Sequence, residues 1–134
     1  MLQIAVAATP RTTHKSILVV DDEPDIREAV RDVLESCLED ATVFTADSGR
    51  SALAVLGKEK VDLIVTDYKM PGMTGVQLLN EAETLAPGLR HILVTAFDRE
   101  LLHDLGGRGK NEHIVQKPLD PERLIREVER ALGR

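Results

Sequence analysis

Asp67 closes the apolar run Val61-Asp62-Leu63-Ile64-Val65-Thr66 and is followed at once by Tyr68-Lys69-Met70-Pro71-Gly72, which can continue neither as strand nor as helix. A carboxylate at the carboxyl end of a buried strand is held where a ligand can reach it. Asp21 and Asp22 stand in the same relation to Ile17-Leu18-Val19-Val20, so two strand ends supply three carboxylates. Brought within a few ångströms, such groups repel by ~1 to 4 kcal/mol per pair at partly solvated dielectric and need protons or a cation. An all-oxygen, mostly hydrated pocket suits Mg2+. Two more strand ends carry Thr95 and Lys117, a hydroxyl and an ammonium able to bind phosphate oxygens. With a cation, these are the parts of a phosphoryl-transfer site, and one Asp is left to act as nucleophile and form an acyl phosphate.

The elements that must position these groups follow from hydrophobic patterning. From Ser16 onward, short apolar runs alternate with helical periodicity, which predicts βα units and a parallel sheet. Strands are expected at residues 17–20, 43–46, 61–66, 91–96 and 113–116. The first helix has Pro24 in its opening turn and an apolar stripe of Ile26, Ala29, Val30, Val33, Leu34, Cys37 and Leu38. The second is expected from about Ser48 to Leu56. The third should bury Leu78, Leu79, Ala82 and Leu85, and the fifth, starting near Asp120-Pro121, should bury Leu124, Ile125, Val128 and Leu132. Gly106, Gly107 and Gly109 confine the fourth to about two turns after Asp98 and mark a flexible connection rather than a phosphate cradle. The expected fold is α/β, a doubly wound five-stranded parallel sheet of flavodoxin-like type. Its order, 2-1-3-4-5, is taken from the fold type rather than from the residues, and it brings Asp21, Asp22 and Asp67 to one crevice.

Size and composition narrow the functions. A chain of 134 residues forms one domain, and 2% aromatic content leaves the core to Leu, Val, Ile and Ala. A net charge of -6 without a basic stripe argues against direct nucleic-acid binding. The single Cys and the lack of zinc spacing point to a reducing, cytoplasmic setting, with Cys37 as a small buried core residue. No apolar run reaches membrane-span length, and Met1 to Lys15 reads as a flexible tail preceding a domain over 16–134.

The set Val19-Val20-Asp21-Asp22-Glu23, Asp67 with Met70-Pro71-Gly72-Met73-Thr74-Gly75, Thr95-Ala96 and Lys117-Pro118 resembles the receiver domain of two-component response regulators. The resemblance covers about Ser16 to Leu132. It implies that Asp67 accepts a phosphoryl group from the phosphohistidine of a sensor histidine kinase or phosphotransfer protein. It implies Mg2+ held by Asp22, Asp67 and the Lys69 backbone carbonyl, with Asp21 on a coordinated water. Lys117 and Thr95 would bind the phosphoryl oxygens, Pro118 would follow a cis peptide bond, and helix 4, strand 5 and helix 5 would form the output face. Hydrogen bonds from Thr95 and Lys117, at ~1.5 to 3 kcal/mol each, approach the ~5.5 kcal/mol needed to invert a two-state population. The resemblance leaves open a homodimer formed on phosphorylation, and whether the chain is a stand-alone receiver, a relay or a piece of a larger regulator.

Two positions depart from the family pattern. Three residues before Lys117, where an aromatic is usual, stands Ile114, and after Met70-Pro71-Gly72-Met73 stands Thr74, a helix N-cap type, in place of an acid. Lys69 and Phe97 are expected to overhang the path of an attacking water and so to set the lifetime of the phosphorylated state. Other readings stand beside these. Asp21, Asp22 and Glu23 could cap the helix at Pro24, and Asp67 could be a turn residue. A haloacid-dehalogenase-like phosphatase also uses an Asp nucleophile but needs a second acid where Lys69 stands. A flavin or nucleotide binder needs a phosphate loop where this chain has Asp21-Asp22-Glu23-Pro24.

Overall fold

The computed structural model describes residues 14–96, 99–105 and 113–133. Five strands, β1 (Lys15–Val20), β2 (Ala41–Ala46), β3 (Leu63–Asp67), β4 (Arg90–Thr95) and β5 (Ile114–Gln116), alternate with five helices. These are α1 (Pro24–Cys37), α2 (Gly49–Lys58), α3 (Gly75–Leu85), α4 (Arg99–Leu105) and α5 (Pro121–Ala131). All strand pairs are parallel and the order is β2-β1-β3-β4-β5, so the chain has the flavodoxin-like, doubly wound fold expected.

The near-continuous apolar runs arise because the sheet is covered on both faces. Successive side chains point to opposite sides, so Ile17 and Val19 of β1, Leu63 and Val65 of β3, and Ile92 and Val94 of β4 pack with Val30, Leu34, Leu124 and Val128 of α1 and α5. Their neighbours Leu18, Val20 and Ile64 pack with Ala52, Leu56, Leu78 and Ala82 of α2 and α3. Leu93 turns toward a smaller cluster with Tyr68, Val76, Leu101 and Leu105 between α3 and α4. Helix starts are chemically marked. Ser48 and Thr74 each form a capping box, with Ser51 and Gln77 respectively, and thereby fix the entries to α2 and α3. Thr74 is thus the N-cap that its residue type suggested.

Several expectations need correction. Cys37 is exposed. The inward line of α1 is filled by Val30 and Leu34, four apart, with the C-cap Leu38 buried just beyond the helix, and Cys37 and Ala29 fall beside that line in solvent. Leu85, the last residue of α3, is 51% exposed, because Leu78 and Ala82 already occupy the buried side. Leu85→Glu is therefore expected to change stability by no more than ~0.5 kcal/mol in a urea melt. Leu132 is buried as expected but is the C-cap of α5 rather than part of it. Lys15 opens β1, one residue inside the segment read as a tail, whereas residues 1–13 lie outside those described. Gly106, Gly107 and Gly109 also lie outside them, while α4 has the two-turn length anticipated. Among the described residues no helix is long and apolar enough to cross a membrane.

Candidate functional site

The parallel sheet delivers the ends of β1, β3 and β4 and the residue after β5 to one edge. Val20 pairs with Thr66, Asp67 with Val94, and Thr95 with Gln116, so Asp21, Asp67, Thr95 and Lys117 follow in register across four strands. Asp67 is the final residue of β3 rather than the first of a loop, and its backbone is paired with Val94 of β4. Its own carbonyl accepts a hydrogen bond from the Thr66 hydroxyl at 3.0 Å, and the next N–H, of Tyr68, donates to Val94 at 3.0 Å.

Asp21, Asp22 and Asp67 each present a carboxylate oxygen within 4.8 Å of the others. Asp21 and Asp67 are buried and Asp22 is half-buried. The Glu23 N–H donates to Asp21 Oδ1 at 2.9 Å, and the Arg27 guanidinium donates to the Asp21 carbonyl at 2.8 Å. The N-cap of α1 is Glu23, and its side chain makes no capping hydrogen bond, so the helix-capping reading of this acidic run is not what the chain uses. Lys117 Nζ lies 3.3 Å from Asp67 Oδ2, and the Lys117 N–H donates to the Thr95 carbonyl at 2.8 Å. The Lys117-Pro118 peptide bond is cis. The Thr95 hydroxyl donates to the carbonyl of Ala96 at 2.5 Å.

Lys69 stands apart from this cluster as far as its side chain goes. The side chain is 73% exposed and its ammonium lies 3.4 Å from Glu100 on α4. Phe97, given a shielding role above, lies outside the described residues. One residue passed over in the sequence is Tyr68, which is buried and whose hydroxyl donates to Asp104 Oδ2 of α4 at 2.5 Å. The available signal was its place directly after Asp67 as the chain's single tyrosine.

The loop after β3 is closed tightly. Gly72 adopts φ 84, the left-handed conformation that favours glycine, and so turns the chain after Pro71. The Gly75 N–H then donates to the Tyr68 carbonyl at 2.7 Å, docking the start of α3 against the end of β3.

Burial pushes the Asp67 carboxyl above its ordinary value of 3.8, and the Lys117 charge and hydrogen bond oppose this only in part. Burial likewise raises Asp21, opposed by the Glu23 N–H and reinforced by the Asp67 charge. For both groups the folded chain holds the proton more tightly than the unfolded chain does, so their contribution to stability is full below the unfolded pKa and is lost as pH rises through the raised folded value. Asp21→Asn keeps the acceptor for Glu23 and removes a charge. In metal-free solution at pH 7 it is expected to melt higher than the parent, by ~1 kcal/mol or about 3 to 6 °C, with the difference vanishing toward pH 3. Thermal melts across that range measure it.

The sequence matches the family model for the response regulator receiver domain over residues 17–129. The chain belongs to that family, the receiver domains of two-component signalling. It is 39% identical over 115 residues to an uncharacterised 14.6 kDa protein of Leptolyngbya boryana, covering 84% of this chain and 86% of that protein. It is 34% identical over 122 residues to the transcriptional regulatory protein GlrR of Escherichia coli, covering 90% of this chain but spanning only 27% of GlrR. Among solved structures, a CheY-like receiver domain protein from Methanospirillum hungatei superposes with a TM-score of 0.79 at 30% identity, covering 90% of this chain and 95% of that one.

Proposed function

We propose that this receiver domain takes a phosphoryl group onto Asp67 from the phosphohistidine of a sensor histidine kinase or phosphotransfer protein. The observation that carries the reading is the convergence of three carboxylates, with the Lys117 ammonium 3.3 Å from the Asp67 oxygen. In the transfer, an Asp67 carboxylate oxygen forms a bond to phosphorus as the phosphorus–nitrogen bond to the donor imidazole breaks, and the ring nitrogen leaves with the electron pair. Lys117, already at the accepting oxygen, moves its pairing to the incoming phosphoryl oxygens. Thr95 turns its hydroxyl from the Ala96 carbonyl to another of them.

The donor set fits Mg2+, because hard carboxylate oxygens with raised proton affinity are what a small divalent cation neutralises. Asp22, Asp67 and the Lys69 carbonyl would hold it directly and Asp21 through a water. When bound it supplies charge neutralisation for the phosphoryl oxygens. The phosphorylated site would be read on the face formed by α4, β5 and α5. The reading as an Asp-nucleophile phosphatase is set aside, because the position that needs a second acid carries Lys69, whose ammonium pairs outward with Glu100.

Incubation with Mg2+ and acetyl phosphate tests the proposal. Intact mass should rise by one phosphoryl group, labile to base as an acyl phosphate is, on the peptide containing Asp67. No uptake, or uptake on another residue, overturns it.

A further inference from the structure

We propose that the Tyr68–Asp104 hydrogen bond is the tie through which the state of Asp67 reaches α4, with Tyr68 as the positioning residue. The inference rests on Asp67 being the phosphoryl acceptor and concerns how that site is read. Three residues before Lys117, the position where this family usually carries an aromatic, is Ile114, which packs against the cluster of Tyr68, Val76, Leu93, Leu101 and Leu105. The aromatic of this cluster therefore comes from the end of β3, one residue past Asp67, and not from β5.

Tyr68 is fixed at both ends. Its N–H and carbonyl are held by Val94 and Gly75, so its backbone moves only with the Asp67 strand end and the start of α3. The residue is 2% exposed, its side chain packs among aliphatic neighbours, and its hydroxyl reaches α4 to meet Asp104. On α4, Leu101 and Leu105 face the cluster, while Glu100 and Asp104, also four apart, share the adjacent side that looks back at the loop after Asp67. Two consecutive loop residues thus grip the two turns of α4. They are unequal. The Lys69–Glu100 pair is more than 70% exposed on both sides and is a solvent-screened ion pair of little weight. The Tyr68 bond joins a carboxylate to a donor on a rigid, buried ring, and it is the contact able to hold α4 in one place. A displacement of the Asp67 backbone on gaining a phosphoryl group is carried by that ring to the last turn of α4.

The test compares the parent chain with Tyr68→Phe, Asp104→Ala and Asp104→Asn, each treated with Mg2+ and beryllofluoride for hydrogen exchange and with acetyl phosphate for intact mass. Tyr68→Phe keeps the ring and removes the hydroxyl that meets Asp104. Tyr68→Phe and Asp104→Ala should take up phosphoryl to the parent's stoichiometry. In the untreated state, both should exchange the amides of residues 99–105 roughly tenfold faster than the parent. The change in α4 protection on beryllofluoride should fall to roughly half or less. Asp104→Asn, which still offers the phenol an acceptor oxygen, should fall between. Undiminished response of α4 in both Tyr68→Phe and Asp104→Ala, whether or not α4 is loosened, overturns the coupling and leaves the phosphoryl site standing. Failure of the parent itself to take up phosphoryl overturns the reading of the site and this inference with it.

Discussion

Asp67→Asn is expected to abolish phosphoryl uptake from acetyl phosphate while leaving the chain folded. The amide is nearly the same size and shape as the carboxylate, so β3 and its pairing with Val94 are preserved. What is lost is the nucleophilic oxygen, and no other described carboxylate has the Lys117 ammonium within ion-pairing distance. Stability should move little, because two effects oppose each other. Burial disfavours the Asp67 charge and the Lys117 pairing favours it, and the raised pKa says that burial is the larger of the two. The variant should therefore be within ~1 kcal/mol of the parent in metal-free solution at pH 7, and on the stable side of it. It should also gain less from added Mg2+ than the parent does. Intact mass and thermal melts with and without Mg2+ provide the measurements, and uptake by the variant at the parent's level would remove Asp67 from the proposed chemistry.

Gly75→Ala should be the most damaging conservative change near the site. A Cβ there would lie 2.4 Å from the Asp67 carbonyl oxygen, 3.0 Å from Leu93 Cδ2 and 3.1 Å from the Tyr68 Cα. Two of these neighbours are backbone atoms at the end of a central strand, which cannot step aside without moving the acceptor. The overpacking is expected to cost ~1 to 3 kcal/mol in urea denaturation and to slow phosphoryl uptake as well. Gly72→Ala offers a useful contrast. A Cβ at Gly72 meets nothing within 4 Å, but φ 84 penalises any side chain there by roughly 1 to 2 kcal/mol. The two variants should thus separate, with Gly75→Ala disturbing uptake out of proportion to its stability loss. Equal rates of uptake in both would show that the acceptor does not feel the start of α3.

The sheet was legible because its strands are buried on both faces, which writes them as apolar runs such as Leu63-Ile64-Val65, ended by the very residues of interest. The gathering of Asp21, Asp22, Asp67, Thr95 and Lys117 at one edge followed once the strand order was supplied by fold type, an order no residue spells out. Helix faces were read too broadly. Apolar spacing gives the axis of a stripe but not its width, and Ala29, Cys37 and Leu85 lie past the margin where the sheet ends and water begins. The Tyr68–Asp104 bond was not legible at all. It joins residues 36 positions apart, and it depends on where a short helix is docked, which local propensity does not encode.

The chain has one tyrosine and no tryptophan. Near-ultraviolet emission from this protein therefore arises almost wholly from a single phenol, adjacent in sequence to the proposed acceptor and in contact with a carboxylate that can quench it. The molecule carries its own optical gauge, so cation binding, phosphorylation of Asp67 and displacement of Asp104 can each be followed in real time on the unlabelled protein.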